Sequence, residues 1–342
     1  MARQGRNAMK VRVLGAGVAG LVAATELARH GADVELVDRA PALGVEACAW
    51  CAGGMLAPWC EGESAEAFVV ENGQKALAWW REHSSSFVQN GTLVLASRRD
   101  QGELTRFARM SENHEPCEAS ALVGLEPDLG ERFERALFFA GEAHVDPRLA
   151  LQHLADALVA EGASLRFGEA MTPQEAEKNV DLVIDCRGFA ARDQVSGLRG
   201  VRGEMMIVRC PGFALARSVR LLHPRWPLYV VPRADHVFML GATMIESEHH
   251  GPVTLRSAGE LIEAAQALHP AFNEAEILEL RADVRPAFAD NLPRVERRGK
   301  TISINGLYRH GFLLSPWCAD EAVRLAGLSP QAFGAPAGEL VA

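Results

Sequence analysis

The sequence predicts an α/β protein in which a parallel sheet layered with helices is joined to a second domain built on a large, mostly antiparallel sheet. Two observations carry the prediction. In "VRVLGAGVAGLVAATELARHGADVELVDRA" (Val11–Ala40), an apolar run, a glycine turn, a helical segment and a second apolar run follow one another. This is the order of a βαβ unit. Further along, from "GEMMIVRC" through "LYVVPRADHVFMLGATM", strand follows strand with no helix between, as in an antiparallel sheet.

The 342 residues are 48% hydrophobic and 23% charged, an ordinary globular composition with ample core for one large or two modest domains. A net charge of −9 argues against binding a nucleic-acid backbone. No apolar run approaches the ~20 residues of a membrane span. The opening "MARQGRNAMK" lacks the apolar stretch of a signal peptide. Flexible ends are expected over 1–8 and 331–342. Cysteines stand at 48, 51, 60, 117, 186, 210 and 318. An odd count in a long chain fits a reducing, cytoplasmic setting. Cys48 and Cys51 have CxxC spacing, but no second CxxC or paired histidine accompanies them. Packed thiols are expected, and no metal.

Taken in order, Val11–Leu14 reads as a buried strand, Ala19–His30 as a helix ended by Gly31, and Asp33–Val37 as a second strand. "GVEACAWCAGGMLAPWC" is loop-like yet apolar, so it is expected to line something. "EAFVVENGQKALAWWREH" reads as a helix and "NGTLVLAS" as a strand. Asp146-Pro147 opens a helix, as cap and first residue, with Leu151, Leu154 and Leu158 as its stripe. "SLRFG" and "VDLVIDCRGF" read as strands and "RSAGELIEAAQALHP" as a helix. The closing "KTISINGLYRHGFLLSPWCADEAVRLAGL" reads as strand, glycine turn and helix.

The spacing Gly15-x-Gly17-x-x-Gly20 fits a dinucleotide fingerprint. Gly15 permits the tight turn, Gly17 lets a pyrophosphate approach, and Gly20 lets helix and strand pack closely. Val18 and Ala19 begin the helix whose N-terminus favours negative charge. Asp38, followed by Arg39, ends the second strand where a ribose hydroxyl is expected. An acid there disfavours a 2′-phosphate. FAD and NAD both stay open, with the N-terminal position and the mixed sheets favouring FAD.

Several segments resemble the glycine oxidases of the ThiO type, a branch of the D-amino-acid oxidase-like flavoproteins. The likeness runs through "AGGMLAPWCE" (Ala52–Glu61), "HVDPRLALQHL", "GVRGEMM", "LYVVPRADHVFMLGATM" (Leu228–Met244), "DVRPAFADNLPRV" and "NGLYRHGFLLSP". Two departures mark this chain. "CRGF" (Cys186–Phe189) stands where the family has a small-residue "ATG" or "ASG", and "AARD" replaces the aromatic that follows.

The resemblance implies a discontinuous Rossmann-like FAD domain over 9–85, 140–204 and 282–330, with a substrate domain over 86–139 and 205–281. It implies non-covalent FAD beside Gly54, Met55, Gly188, His310, Gly311, Phe312 and Leu313. Tyr229 and Arg285 would hold a substrate carboxylate, with Arg309 near the flavin and the substrate mouth. Met55 and Trp59 are expected to wall the pocket. His144, His223, His249, His250 and His269 are expected at the surface or at helix edges, without catalytic roles. The implied activity is oxidation of small amino acids such as glycine or sarcosine by O2, giving an imine and H2O2, with the imine entering thiamine thiazole synthesis. A dehydrogenase of the same fold passing electrons to a quinone or protein, and a maturation factor acting on a protein side chain, stay open. So does self-association into a homo-oligomer.

Overall fold

The computed structural model describes residues 8–328 apart from 131, 224 and 226. The expected flexible ends over 1–8 and 331–342 fall outside these residues, Ala8 excepted.

The predicted βαβ unit is present. Strand β1 (Lys10–Leu14) leads into helix α1 (Val18–Arg29), which returns to strand β2 (Asp33–Asp38). Lys10 to Leu14 pair in parallel with Asp33 to Val37. Gly31 takes φ +84° after the helix, a conformation that carries no Cβ penalty in glycine. Among the described residues this sheet has six strands, in the order Arg294–Arg298, Thr301–Asn305, Leu182–Asp185, β1, β2, Ser164–Phe167. Every neighbouring pair is parallel except the hairpin of Arg294–Arg298 with Thr301–Asn305. Leu182–Asp185 is buried along its whole length, as expected of a central parallel strand covered on both faces.

The second sheet has nine strands among the described residues. Its pairings are antiparallel except that of Ser218–Leu222 with Thr92–Ala96. Arg199–Arg209 and Glu276–Ala287 pair over nearly their full lengths. These two long strands place Arg285 on the sheet. One core cluster gathers α1, Ala67–His83, Pro147–Ala160 and Gly311–Ala326 around the parallel sheet. A separate cluster lies under the antiparallel sheet, against the helix Leu255–Leu268.

The helix Pro147–Ala160 begins as its sequence predicts. The Asp146 carboxylate accepts from the backbone N–H groups of Arg148 and Leu149, and Pro147 occupies the first helical position. Leu151, Leu154 and Leu158 are buried. Asp146 also faces the Arg233 guanidinium at 3.3 Å. Asp146→Ala is therefore expected to lower unfolding stability in urea by about 1–2 kcal/mol, the usual worth of such a cap.

Candidate active site

The N-terminal ends of two helices meet at one cavity of about 1170 Å³. Gly17 precedes α1, and no side chain caps the N–H groups of its first turn. The helix Gly311–Ala326 starts beside it. A Cβ built on Gly311 would lie 3.2 Å from Val18 Cγ1. Unpaired N–H groups and the helix dipole make such ends favourable for anions.

The three fingerprint glycines have separate jobs. Gly15 takes φ +100°, and a Cβ there would lie 2.6 Å from the Cys186 carbonyl oxygen. A Cβ on Gly20 would overlap the Gly15 carbonyl oxygen at 1.8 Å, whereas one on Gly17 would meet nothing within 4 Å. Two glycines thus serve close packing, and Gly17 opens onto free space. Of the candidate cofactor residues, Gly15, Gly17, Val18, Ala19, Asp38, Arg39, Gly54, Met55, Gly188, His310, Gly311, Phe312 and Leu313 line the cavity, and Gly20 does not. Asp38 accepts from the backbone N–H groups of Ala16 and Ala40. A carboxylate has about four acceptor sites, so these bonds do not exhaust it. Arg39 pairs with Glu46 at 2.8 Å.

Tyr229, Arg285 and Arg309 line the same cavity. The Tyr229 ring lies between two glycines. A Cβ on Gly53 or on Gly241 would come within 2.8 Å of it. Its hydroxyl has no hydrogen-bond partner among the described residues, and burial raises its pKa. Arg285 lies across Gly203, where a Cβ would be 2.2 Å from Nη2. Arg285 Nη1 donates to the Thr243 carbonyl at 3.1 Å. The remaining guanidinium N–H groups have no partner among the described residues. Arg285 thus keeps a fork of donors for a ligand.

Arg309 is differently placed. Its Nη2 donates to Glu61 Oε2 at 2.6 Å and to Ser64 Oγ at 2.8 Å. The other Glu61 oxygen accepts from Arg220 Nη2. His310 Nδ1 lies 3.6 Å from Glu61 Oε2. Burial alone would raise the Glu61 pKa, but Arg309 and Arg220 hold it well below the carboxylate range. Burial pushes His310 down to about 4, so it is neutral near pH 7. Arg220 is the cross-strand partner of Tyr229, which sets this ion-pair cluster beside the phenol.

Glu61 and Arg220 were missed by the sequence reading, as were the supporting glycines 53, 203 and 241. The available signal was a single charge inside an apolar segment: Glu61 after "MLAPWC" and Arg220 within "SVRLL".

Two expectations are corrected. Met55 lines the cavity but Trp59 does not; its ring packs over the Gly141 position instead. His144 is buried rather than at the surface, because Ala143–His144 pairs with Met55–Leu56. Burial lowers its pKa to about 4. Of the CxxC thiols Cys51 is buried and Cys48 half-buried, both lining the cavity, and loss of solvation pushes Cys48 up to about 12 and Cys51 to about 11. Among the described residues no three His, Cys, Asp or Glu side chains form a metal-binding group.

The DAO family model, described as FAD dependent oxidoreductase, matches residues 10–325. The chain belongs to this family of FAD-dependent oxidoreductases. It is 52% identical over 317 residues to the Rhizobium etli protein assigned as thiamine biosynthesis oxidoreductase ThiO, covering 92% of this chain and 96% of that one. Identity to a glycine oxidase of Pseudomonas aeruginosa is 29% over 377 residues, covering 97% and 99%. Among solved structures, glycine oxidase from Geobacillus kaustophilus has the same fold. The TM-score is 0.78 at 23% identity, covering 95% and 96%.

The residues present fit the family's FAD. The uncapped start of α1 and the open space at Gly17 suit a pyrophosphate, and the cavity continues to the start of Gly311–Ala326. Gly17→Val is expected to leave a folded protein by circular dichroism that has lost visible flavin absorbance. The new side chain enters ligand space rather than protein.

Behind this wall, Glu142 is fully buried and accepts from the Cys60 N–H at 2.8 Å. Burial pushes it up to about 7. Because its folded pKa is raised, its contribution to stability is complete at pH below about 4.5 and is lost as pH rises through about 7. Urea denaturation at several pH values should show Glu142→Gln flattening the decline between these limits. An unchanged profile would exclude Glu142 as its source.

Proposed function

We propose that this protein is an amino acid oxidase of small substrates, glycine or sarcosine. It would release an imine and H2O2, with the imine serving the thiazole half of thiamine. One observation carries the reading: in the cavity that the fingerprint helix opens onto, Arg285 and Tyr229 both present donors that have no partner among the described residues. The 52% identical ThiO relative and the glycine oxidase relatives support it.

When bound, FAD supplies the acceptor for the hydride leaving the substrate Cα. The protein's share is placement. The Arg285 fork receives the substrate carboxylate through two parallel hydrogen bonds, and the Tyr229 hydroxyl adds a third. Fixing the carboxylate limits the rotations left to Cα, and such orientation lowers a barrier by several kcal/mol. The glycines on either side of Tyr229 let its ring lie against backbone, which fixes the hydroxyl in the cavity. The uncapped helix starts favour negative charge on the cofactor. FAD is held without a covalent bond in this reading; the Cys318 thiol is completely buried in its helix and does not line the cavity.

The test is oxygen uptake with glycine and with sarcosine, together with a peroxide assay. Turnover with peroxide supports the reading. Flavin bleaching without oxygen uptake would replace it with a dehydrogenase. Arg285→Lys is expected to raise the apparent KM for glycine about 10- to 100-fold while the protein stays yellow, since a point charge replaces a bidentate fork. An unchanged KM would remove Arg285 from the site.

A further inference from the structure

We infer that Glu61 determines specificity: by bridging Arg220 and Arg309 it withdraws two guanidiniums from the cavity wall, leaving Arg285 to bind a single carboxylate, so that amines with a second carboxylate are excluded. The inference rests on the proposed amino acid oxidase reading and names a selectivity within it.

The geometry carries the argument. Glu61, Arg220, Arg309, Tyr229 and Arg285 line one cavity. Each Glu61 oxygen serves a different guanidinium: Oε1 accepts from Arg220 and Oε2 from Arg309. Arg220 is the register partner of Tyr229, so the bridged cluster adjoins the phenol of the carboxylate clamp. Arg309 is tied down further by Ser64. A wall with two arginines would ordinarily attract a second carboxylate. Here a buried carboxylate already fills that place, and an incoming anion would have to displace it from two partners. Glu61 is tethered at both ends of its short helix. Pro58–Glu61 follows the paired strand Met55–Leu56, and Cys60, the preceding residue, donates its N–H to Glu142. The bridge therefore does not swing aside as a flexible surface acid would.

The test measures binding as well as turnover. Acetate and malonate are titrated into the flavin-loaded protein, and the shift of the flavin spectrum gives each Kd. The wild type is expected to gain nothing from the second carboxylate of malonate. Glu61→Gln should tighten malonate relative to acetate by about tenfold, the factor of about one charge-assisted hydrogen bond. The double variant Glu61→Gln with Arg309→Gln should return most of that gain. It removes the released charge without restoring Glu61. In turnover, the preference for iminodiacetate over glycine, as a ratio of kcat/KM, should rise in the single variant and fall back in the double.

Malonate binding the wild type tenfold tighter than acetate would overturn the inference without any variant. So would an unchanged malonate-to-acetate ratio in Glu61→Gln. If the wild type turns over neither glycine nor sarcosine, the oxidase reading fails, but the titrations still report whether Glu61 sets the anion count.

Discussion

Close backbone approach at a few glycines is the constraint on which the rest of this molecule depends. The Gly20 Cβ position coincides with the Gly15 carbonyl, so α1 can lie on the β1 turn only without a side chain there. That contact aims the start of α1 at the cavity. The same device recurs in the other half of the site. Gly53 and Gly241 admit the Tyr229 ring, and Gly203 admits the Arg285 guanidinium. Each polar group is held by being laid against backbone. Few side-chain bonds are needed to fix it, and its donors stay available for a ligand.

Both sheets are needed to make use of this. The parallel sheet supplies helix starts, which bind anions through backbone N–H groups and tolerate little variation in shape. The antiparallel sheet supplies side chains at defined register. Arg220 and Tyr229 are direct partners, and Arg285 faces Val201 across the long pair of strands. A shift of one residue would turn these groups to the opposite face.

The parts legible in the sequence were those with local causes. The βαβ unit shows in apolar period and glycine spacing within a short window. The start of Pro147–Ala160 shows in Asp146-Pro147, because a cap acts over two or three residues. Arg285, Tyr229 and Arg309 were named through family resemblance, and the structure gathers them in one cavity. What stayed hidden was set by distant pairing. Arg309 looks like another free arginine until Glu61, 248 positions away, is seen against it. His144 looks like a surface histidine until the short strand Ala143–His144 pairs with Met55–Leu56. Trp59 follows an apolar run and looks like pocket wall, yet its ring turns to Gly141.

The Glu61 cluster also shows why so many charges are tolerated near an apolar loop. A buried carboxylate with one partner gains little net stability, since desolvation offsets most of the attraction. Two guanidiniums on opposite oxygens satisfy more of its acceptor sites, and the resulting field lowers its pKa despite burial. Removing Glu61 takes the carboxylate from both guanidiniums, whereas removing either arginine leaves one Glu61 oxygen without its partner. An arginine committed in this way contributes shape and field to the cavity, while an arginine laid across a glycine contributes donors. The difference between Arg309 and Arg285 lies in what each already holds, and a residue type alone does not reveal it.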